Sequence, residues 1–309
     1  MDTSRPGGSR ADGLTAVAGL RVGHWTDVGA RTGCTVVRLP PAGAPTSALA
    51  FGPAPASREY ALLDPDKSVP VAHAIVLSGG SAYGLDAASG VMRVLEREGI
   101  GLETPFARVP IVPAAALYDL GVGRSDVRPG AAAGEAAAKD AHDGPVASGR
   151  IGAGSGASVG KIRGFDAAVP SGIGSAAVRV GNATVAALAV SNAVGALVDP
   201  NDGRPIAGRP ASAEEAVNLF QTPPGTNTTL VVVATDAALD KTGCRALAPA
   251  GHVGIAHVTR PSHTPHDGDT VFVTATGRAG TVARSPLSVA VQQVVAEAIL
   301  RGARKAVAS

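Results

Sequence analysis

The sequence predicts an α+β layered fold, on three observations. Strand-like and helix-like segments are intermixed along the chain, without the repeated βαβ period of a doubly wound sheet, so a Rossmann arrangement is disfavoured. The run Thr228-Thr229-Leu230-Val231-Val232-Val233-Ala234-Thr235 is continuously β-prone, as expected of a strand covered on both faces. The core must also be made of small residues. Of 309 residues 45% are hydrophobic, yet only five are Phe, three Tyr and one Trp, while 40 are Gly and 23 Pro. Dense packing then depends on Val, Ala, Leu and Ile and on close backbone approach.

Residues 1–13 combine Ser, Arg, Asp, Pro and Gly with no apolar period and read as a disordered lead. Residues 14–39 alternate apolar runs with glycine, which predicts short strands. Residues 73–77 form a further strand that runs into Ser78-Gly79-Gly80-Ser81, and helix-period apolar positions follow over 85–98, ending at Gly99. Residues 107–113 hold two prolines and fit an edge or irregular strand, because proline donates nothing to a ladder. An Ala-rich helix is expected over 131–141. Strands 176–180 and 185–190 pair around the Gly181-Asn182 turn. Ser212 precedes Glu214 and Glu215 and caps a short helix ending near Phe220; Thr222 to Asn227 then reads as an exposed loop. After the buried run come a helix over 241–257, an alternating strand over 270–276, and a closing amphipathic helix over 286–302 with Pro286 in its first turn.

Composition excludes several classes. The glycines keep no period of three, so collagen is out, and the apolar content with a net charge of +2 argues against general disorder. The 27 Lys plus Arg face 25 Asp plus Glu without a dense basic run, and few aromatics can stack on bases, so nucleic-acid binding is not expected. Neither an apolar leader nor a run of 18 apolar residues occurs, which predicts a soluble, cytoplasmic protein with no membrane partner. Two cysteines, Cys34 and Cys244, cannot make a disulfide framework or a cysteine-based zinc site.

Several motifs fail on spacing. Gly152 to Lys161 looks like a phosphate loop, but Ser155 occupies the first glycine position and Ile162 follows the lysine; as a dinucleotide fingerprint the stretch ends on Ala157 and lacks a preceding strand. Gly79-Gly80-Ser81-Ala82-Tyr83 misses the nucleophile elbow, because Tyr83 stands where the second glycine belongs; the plain reading is a helix N-terminus with free amides. His252, His257, His263 and His266 gather near Asp267 and Asp269, but their spacings suit no metal site and they read as surface and loop histidines. No metal or cofactor is expected.

Two motifs survive. Asp267-Gly268-Asp269 precedes a strand, and carboxylates at i and i+2 share one side of it; the competing reading is an Asp-Gly turn. Asn227-Thr228 joins a loop to the buried strand. A threonine there can attack the carbonyl before it, and hydrolysis of the resulting ester releases an α-amine that serves as base for the same hydroxyl. That amine has a reference pKa near 8, close enough to neutrality to accept a proton. The competing reading is a threonine acting as an ordinary β-former.

Read together, Val22-Gly23-His24-Trp25-Thr26-Asp27, Thr32-Gly33-Cys34-Thr35-Val36-Val37, Ser78 to Leu85, Asn227 to Asp236 and Asp267-Gly268-Asp269-Thr270-Val271-Phe272 resemble the L-aminopeptidase/D-esterase family, in order from Leu14 onwards. That family includes β-aminopeptidases and nylon-oligomer hydrolases. The resemblance implies an αββα sandwich of N-terminal-nucleophile type, shared with ornithine acetyltransferases, and one catalytic domain over 14–309. It implies self-cleavage between Asn227 and Thr228, into 1–227 and 228–309, with Thr228 as the nucleophile. Lys161 matches the family's Gly-Lys, Asn192 its oxyanion-side asparagine, and Asp267 with Asp269 the pair that orients the Thr228 hydroxyl and amine. Two aspartates there resemble the nylon-hydrolase branch. Tyr118 matches an oxyanion-side, substrate-binding tyrosine. The implied substrate is a small peptide or other amide, and the implied assembly a homo-oligomer of cleaved protomers. Around residues 45–60 Ala-Pro-rich text replaces the family's glycine-rich run. The alternatives are an acetyl transferase of the ornithine type and a non-catalytic small-molecule binding protein on the same fold.

Overall fold

The computed structural model describes residues 12–216 and 225–308; residues 1–11 of the expected lead, the expected helix end at Phe220, and Thr222, Pro223 and Pro224 of the expected loop lie outside them. In chain order the main strands are β1 (Arg21–Asp27), β2 (Thr32–Arg38), β3 (Thr46–Ala50), β4 (Ala56–Arg58), β5 (Ala74–Ser78), β6 (Ala114–Ala116), β7 (Ile173–Val180), β8 (Ala183–Asn192), β9 (Thr228–Ala237) and β10 (Thr270–Gly280). The helices are α1 (Ala87–Arg97), α2 (Ala131–Asp140), α3 (Ala213–Ala216), α4 (Lys241–Val258) and α5 (Arg284–Val307). Two five-stranded sheets result, ordered β1-β2-β5-β6-β4 and β7-β8-β9-β10-β3.

Side-chain alternation builds four layers. In β8, Ala186, Leu188 and Val190 face the first sheet, where they meet Val37, Ile75 and Leu77. Val185, Ala187 and Ala189 face the other way, onto a core shared with α4 and α5. β9 splits likewise, Leu230 and Val232 inward and Val231 and Val233 towards the helices. Covered on both faces, these strands read as unbroken apolar runs, as predicted. On the far side of the first sheet, Val36 and Val76 pack with Val91 and Leu95 of α1 and Ala137 of α2. The order is helices, sheet, sheet, helices, which is the α+β sandwich expected. Small residues let the layers close: a Cβ on Gly90 would stand 1.8 Å from Ala131 O, and one on Gly134 1.8 Å from Ala87 O, so α1 and α2 touch backbone to backbone.

Local signals hold where they were explicit. Ser212 and Glu215 form a reciprocal cap, the Glu215 N–H donating to Ser212 Oγ at 3.2 Å and the Ser212 N–H to Glu215 Oε2 at 2.9 Å. β7 and β8 pair antiparallel around Gly181, which takes φ +59°. Residues 107–113 contribute a two-residue exposed strand, Arg108–Val109. One expectation fails. The amides after β5 are not free: Gly79 N donates to Gly33 O at 2.8 Å, Gly80 N to Asp119 Oδ1 at 2.7 Å and Ser81 N to Leu117 O at 2.9 Å. Partners distant in sequence have taken them. No helix among the described residues is long and apolar enough to cross a membrane.

Candidate active site

Topology gathers the surviving motifs at one end of the second sheet. Thr228 opens β9 and lies opposite Asn192, the last residue of β8. β9 runs parallel to β10 with Leu230 opposite Thr270, so both strands enter from the same end, and Asn227 bridges Asp267 just before them. The loop leading in was expected to be exposed; Thr226 is instead 7% exposed and Asn227 fully buried. Burial is possible because protein donors satisfy the backbone: Asn192 Nδ2 and Lys161 Nζ donate to Thr226 O at 3.3 and 3.5 Å, and Gly268 N donates to Asn227 O at 2.9 Å.

The Asn227 carbonyl is the centre of the arrangement. Thr228 Oγ1 donates to this oxygen at 2.5 Å, and the Gly268 amide donates to it from the Asp-Gly-Asp segment. A hydroxyl therefore rests on the carbonyl preceding it, while a second donor is already aimed where negative charge would develop. Residues 51–55 press this segment into position. A Cβ on Gly268 would stand 2.4 Å from Ala54 O, one on Gly52 would stand 2.1 Å from Asp267 O, and Phe51 N donates to Asp269 O at 2.8 Å. The stretch in which the sequence departs from the family's glycine-rich run is thus the cover of the candidate site.

Lys161 is fully buried and donates to Asn192 O at 2.8 Å. Burial pulls its pKa down to about 7, against the opposing charge of Asp267. Asn192 is oriented by Ser158, whose N–H and Oγ–H donate to Asn192 Oδ1 at 3.0 and 3.5 Å. Its Nδ2 donates to Tyr118 O at 2.9 Å as well as to Thr226 O, so both amide hydrogens are in use. Tyr118 enters this network through its main chain; its ring is tilted against Phe165, centroids 6.3 Å apart.

The acidic pair is buried and asymmetric. Asp267 Oδ2 accepts from Thr264 N at 2.7 Å and Thr264 Oγ1 at 2.6 Å, whereas Asp267 Oδ1 is buried without a partner. Burial and then the charge of Asp269 push Asp267 up to about 6. Asp269 Oδ1 accepts from Thr229 N at 2.5 Å, and its Oδ2 stands 2.7 Å from His263 Nδ1. Among the described residues neither carboxylate bonds the Thr228 hydroxyl, which is engaged with Asn227 O; Asp269 acts one residue further along the strand.

His263 has a place the sequence did not reveal. Its Nε2 donates to His252 O at 3.1 Å, and its backbone is held at φ +52°, a conformation costly for a non-glycine residue. Burial alone would lower its pKa, but the hydrogen bond and charge of Asp269 outweigh this and raise it above the ordinary imidazole value. His252 stacks on Phe51 at 4.1 Å and is lowered to about 4, chiefly by burial. The reading of surface and loop histidines holds for the loop positions of His263 and His266 and for the exposed His257, but His252 and His266 are buried rather than on the surface. Among the described residues no group of three His, Cys, Asp or Glu has metal-holding geometry.

The model of peptidase family S58 matches residues 12–308. An uncharacterized aminopeptidase of Mycobacterium tuberculosis is 43% identical over 287 residues, covering 85% of this chain and 81% of that protein. The 6-aminohexanoate-oligomer endohydrolase of Paenarthrobacter ureafaciens is 33% identical over 258 residues, covering 79% and 69%. Among solved structures, a Burkholderia β-aminopeptidase superposes with a TM-score of 0.71 at 23% identity, covering 98% of this chain and 88% of that one. The L-aminopeptidase D-Ala-esterase/amidase of Ochrobactrum anthropi, described as a variant of the Ntn hydrolase fold, gives 0.72 at 18%, covering 98% and 89%. At these identities the two structures speak to the fold.

Proposed function

The chain belongs to peptidase family S58, and on that premise we propose that it is a self-processing, aminopeptidase-type amide hydrolase in which Thr228 first cuts the chain before itself and then serves as nucleophile. Thr228 Oγ attacks the Asn227 carbonyl carbon, the Gly268 N–H receives the developing charge, and the peptide C–N bond breaks as the hydroxyl proton passes to the Thr228 nitrogen. Water hydrolyses the resulting ester. The products are an Asn227 carboxylate, a free hydroxyl and an α-amine on Thr228.

Cutting changes what the site can do. Once residues 225–227 move away, Asn192 Nδ2 loses Thr226 O and becomes available to a substrate oxyanion. The new amine takes the Oγ proton as Thr228 attacks a substrate amide, delivers it to the leaving amine, and water then releases the acyl group. Lys161, on the carbonyl of the residue paired with Thr228, penalises a further positive charge there and favours the neutral amine. Asp269, held by His263, fixes the start of β9 through Thr229 N. Residues 14–309 would act as one cytoplasmic catalytic domain cut once and assembled into homo-oligomers of cleaved protomers, which light scattering can check.

The Asn227 carbonyl carries this reading, because the attacking hydroxyl and a preorganised amide both meet it in a buried site. Intact mass of the denatured protein should show chains 1–227 and 228–309, and Thr228→Ala should stay a single 30.4 kDa chain without amidase activity. An uncut yet active Thr228→Ala protein would falsify the proposal. Aminoacyl anilides and 6-aminohexanoate oligomers, suggested by the relatives' names, are the first substrates to assay.

A further inference from the structure

A cavity of about 200 Å³ adjoins the oxyanion side of the site. Two of its lining residues connect it to that side. Ser158 holds Asn192 Oδ1, and the Phe165 ring lies 6.0 Å from Lys161 Nζ and 6.3 Å from the Tyr118 ring. Among the described residues its charged lining is Arg31 and Arg150, which also line, with Ser155, a second hollow. Among the described residues neither arginine has a carboxylate at ion-pair distance. The wall is thus cationic and hydroxyl-bearing, with nothing anionic in it.

Arg31 is also held in a conformation that an arginine does not choose. In the turn between β1 and β2 its φ is +55°, where glycine or asparagine is the ordinary occupant. The surroundings enforce it: Arg124 N donates to Ala30 O at 3.1 Å, and Gly156 packs so closely that a Cβ there would stand 2.2 Å from Arg31 O. Strain kept at a cleft by over-determined packing points to a function for the side chain it presents.

We propose that Arg31 and Arg150 bind a substrate carboxylate in this cleft, so that the enzyme favours short amides whose leaving group ends in a free carboxylate. The proposal rests on the amide-hydrolase reading of the same site and adds a substrate class to it. An aminopeptidase keeps the substrate's amino end on the acyl side, so a carboxylate bound elsewhere belongs to the departing piece. Guanidinium groups suit it because they bind carboxylate with paired, directed hydrogen bonds.

The test compares kcat/KM for dipeptide acids with that for their C-terminal amides. The acid should be preferred by about tenfold or more, the scale of one charge-assisted hydrogen bond. Arg31→Gln and Arg150→Gln should each cut the ratio by about threefold, mainly through KM, and the double variant should bring it near one. Arg150→Lys should restore part of the preference, since charge returns without the fork. A wild-type ratio near one, or a ratio the double variant leaves intact, overturns the proposal. Titration with propionate and propionamide, followed by NMR, decides the cleft without turnover: propionate should bind the wild-type protein at least about tenfold more tightly than the double variant. If neither dipeptide is hydrolysed, the hydrolase reading fails while the propionate result still judges the arginine pair.

Discussion

The two sheets share one pairing pattern. Along β1-β2-β5-β6-β4 and along β7-β8-β9-β10-β3 the neighbours are antiparallel, antiparallel, parallel and antiparallel. Each sheet also has buried aspartate chemistry near its parallel pair, with opposite outcomes. Asp119, after β6, has both oxygens satisfied: Oδ1 accepts from Gly80 N and Oδ2 from Thr32 Oγ1, each at 2.7 Å. Asp267, before β10, keeps Oδ1 unpartnered and has Asp269 as a like-charged neighbour. Burial raises the pKa of both acids. Desolvation alone therefore does not mark a reactive carboxylate. Incomplete satisfaction beside a hydroxyl-bearing strand end distinguishes the second site, while the first is a brace that fixes a turn.

Substitutions can break this comparison. The largest effect is expected from Thr228→Ala, which should lower self-cleavage and anilide release by about 10³-fold or more, with Thr228→Ser recovering both. Next comes Asp269→Asn, which removes the charge beside His263 and weakens the hold on Thr229 N. Self-cleavage, timed by gel electrophoresis after rapid refolding, should slow by about 10²-fold. Asp119→Asn is the control from the other sheet. It should cost about 1–3 kcal/mol of stability, because a buried acceptor set is disturbed, yet leave the cleavage rate per folded molecule within about twofold. Equal slowing in both aspartate variants would remove the distinction between the second sheet's Asp267–Asp269 pair and the first sheet's Asp119 brace.

Much of this was legible in the sequence where the signal is local. The paired strands over 176–180 and 185–190, the buried run of β9, the Gly181 turn and the Ser212 cap each concern neighbours within a few positions, and they fold as their residue types dictate. The failures have one physical cause. Thr226 and Asn227 have loop composition, but their carbonyls are satisfied by Lys161, Asn192 and Gly268, tens of residues away in the chain. The amides of Gly79 to Ser81 are likewise filled by Gly33, Asp119 and Leu117. Gly268 contributes a bare N–H, which every residue but proline owns, so no residue type could announce it. The nearness of His263 to Asp267-Gly268-Asp269 was visible, but its pairing depends on a left-handed backbone that a histidine does not signal.

The smallest effect separates Asp267 from Lys161 by sign, and is best read as thermal stability against pH in a Thr228→Ala background, where the chain stays whole. Asp267 is raised from 3.8 to about 6, so the folded protein keeps a proton that the unfolded chain has released. Its contribution is fully present below about pH 3.8 and is lost as pH rises through about 6. Lys161 is lowered from 10.5 to about 7, so between these values the unfolded chain holds the extra proton. Its contribution is present above about pH 10.5 and is lost as pH falls through about 7. Asp267→Asn should flatten the decline between pH 4 and 6 and, by removing the charge that partly offsets the burial of Lys161, extend the alkaline limb to lower pH rather than flatten it. Lys161→Met should flatten the rise between pH 7 and 10 and likewise extend the acid limb to higher pH rather than flatten it. Each change should amount to a few degrees in Tm, about 1.5 °C per kcal/mol removed for a chain of 309 residues. If either substitution flattened both limbs, the two groups would titrate as one coupled unit across the Asn227–Thr228 segment.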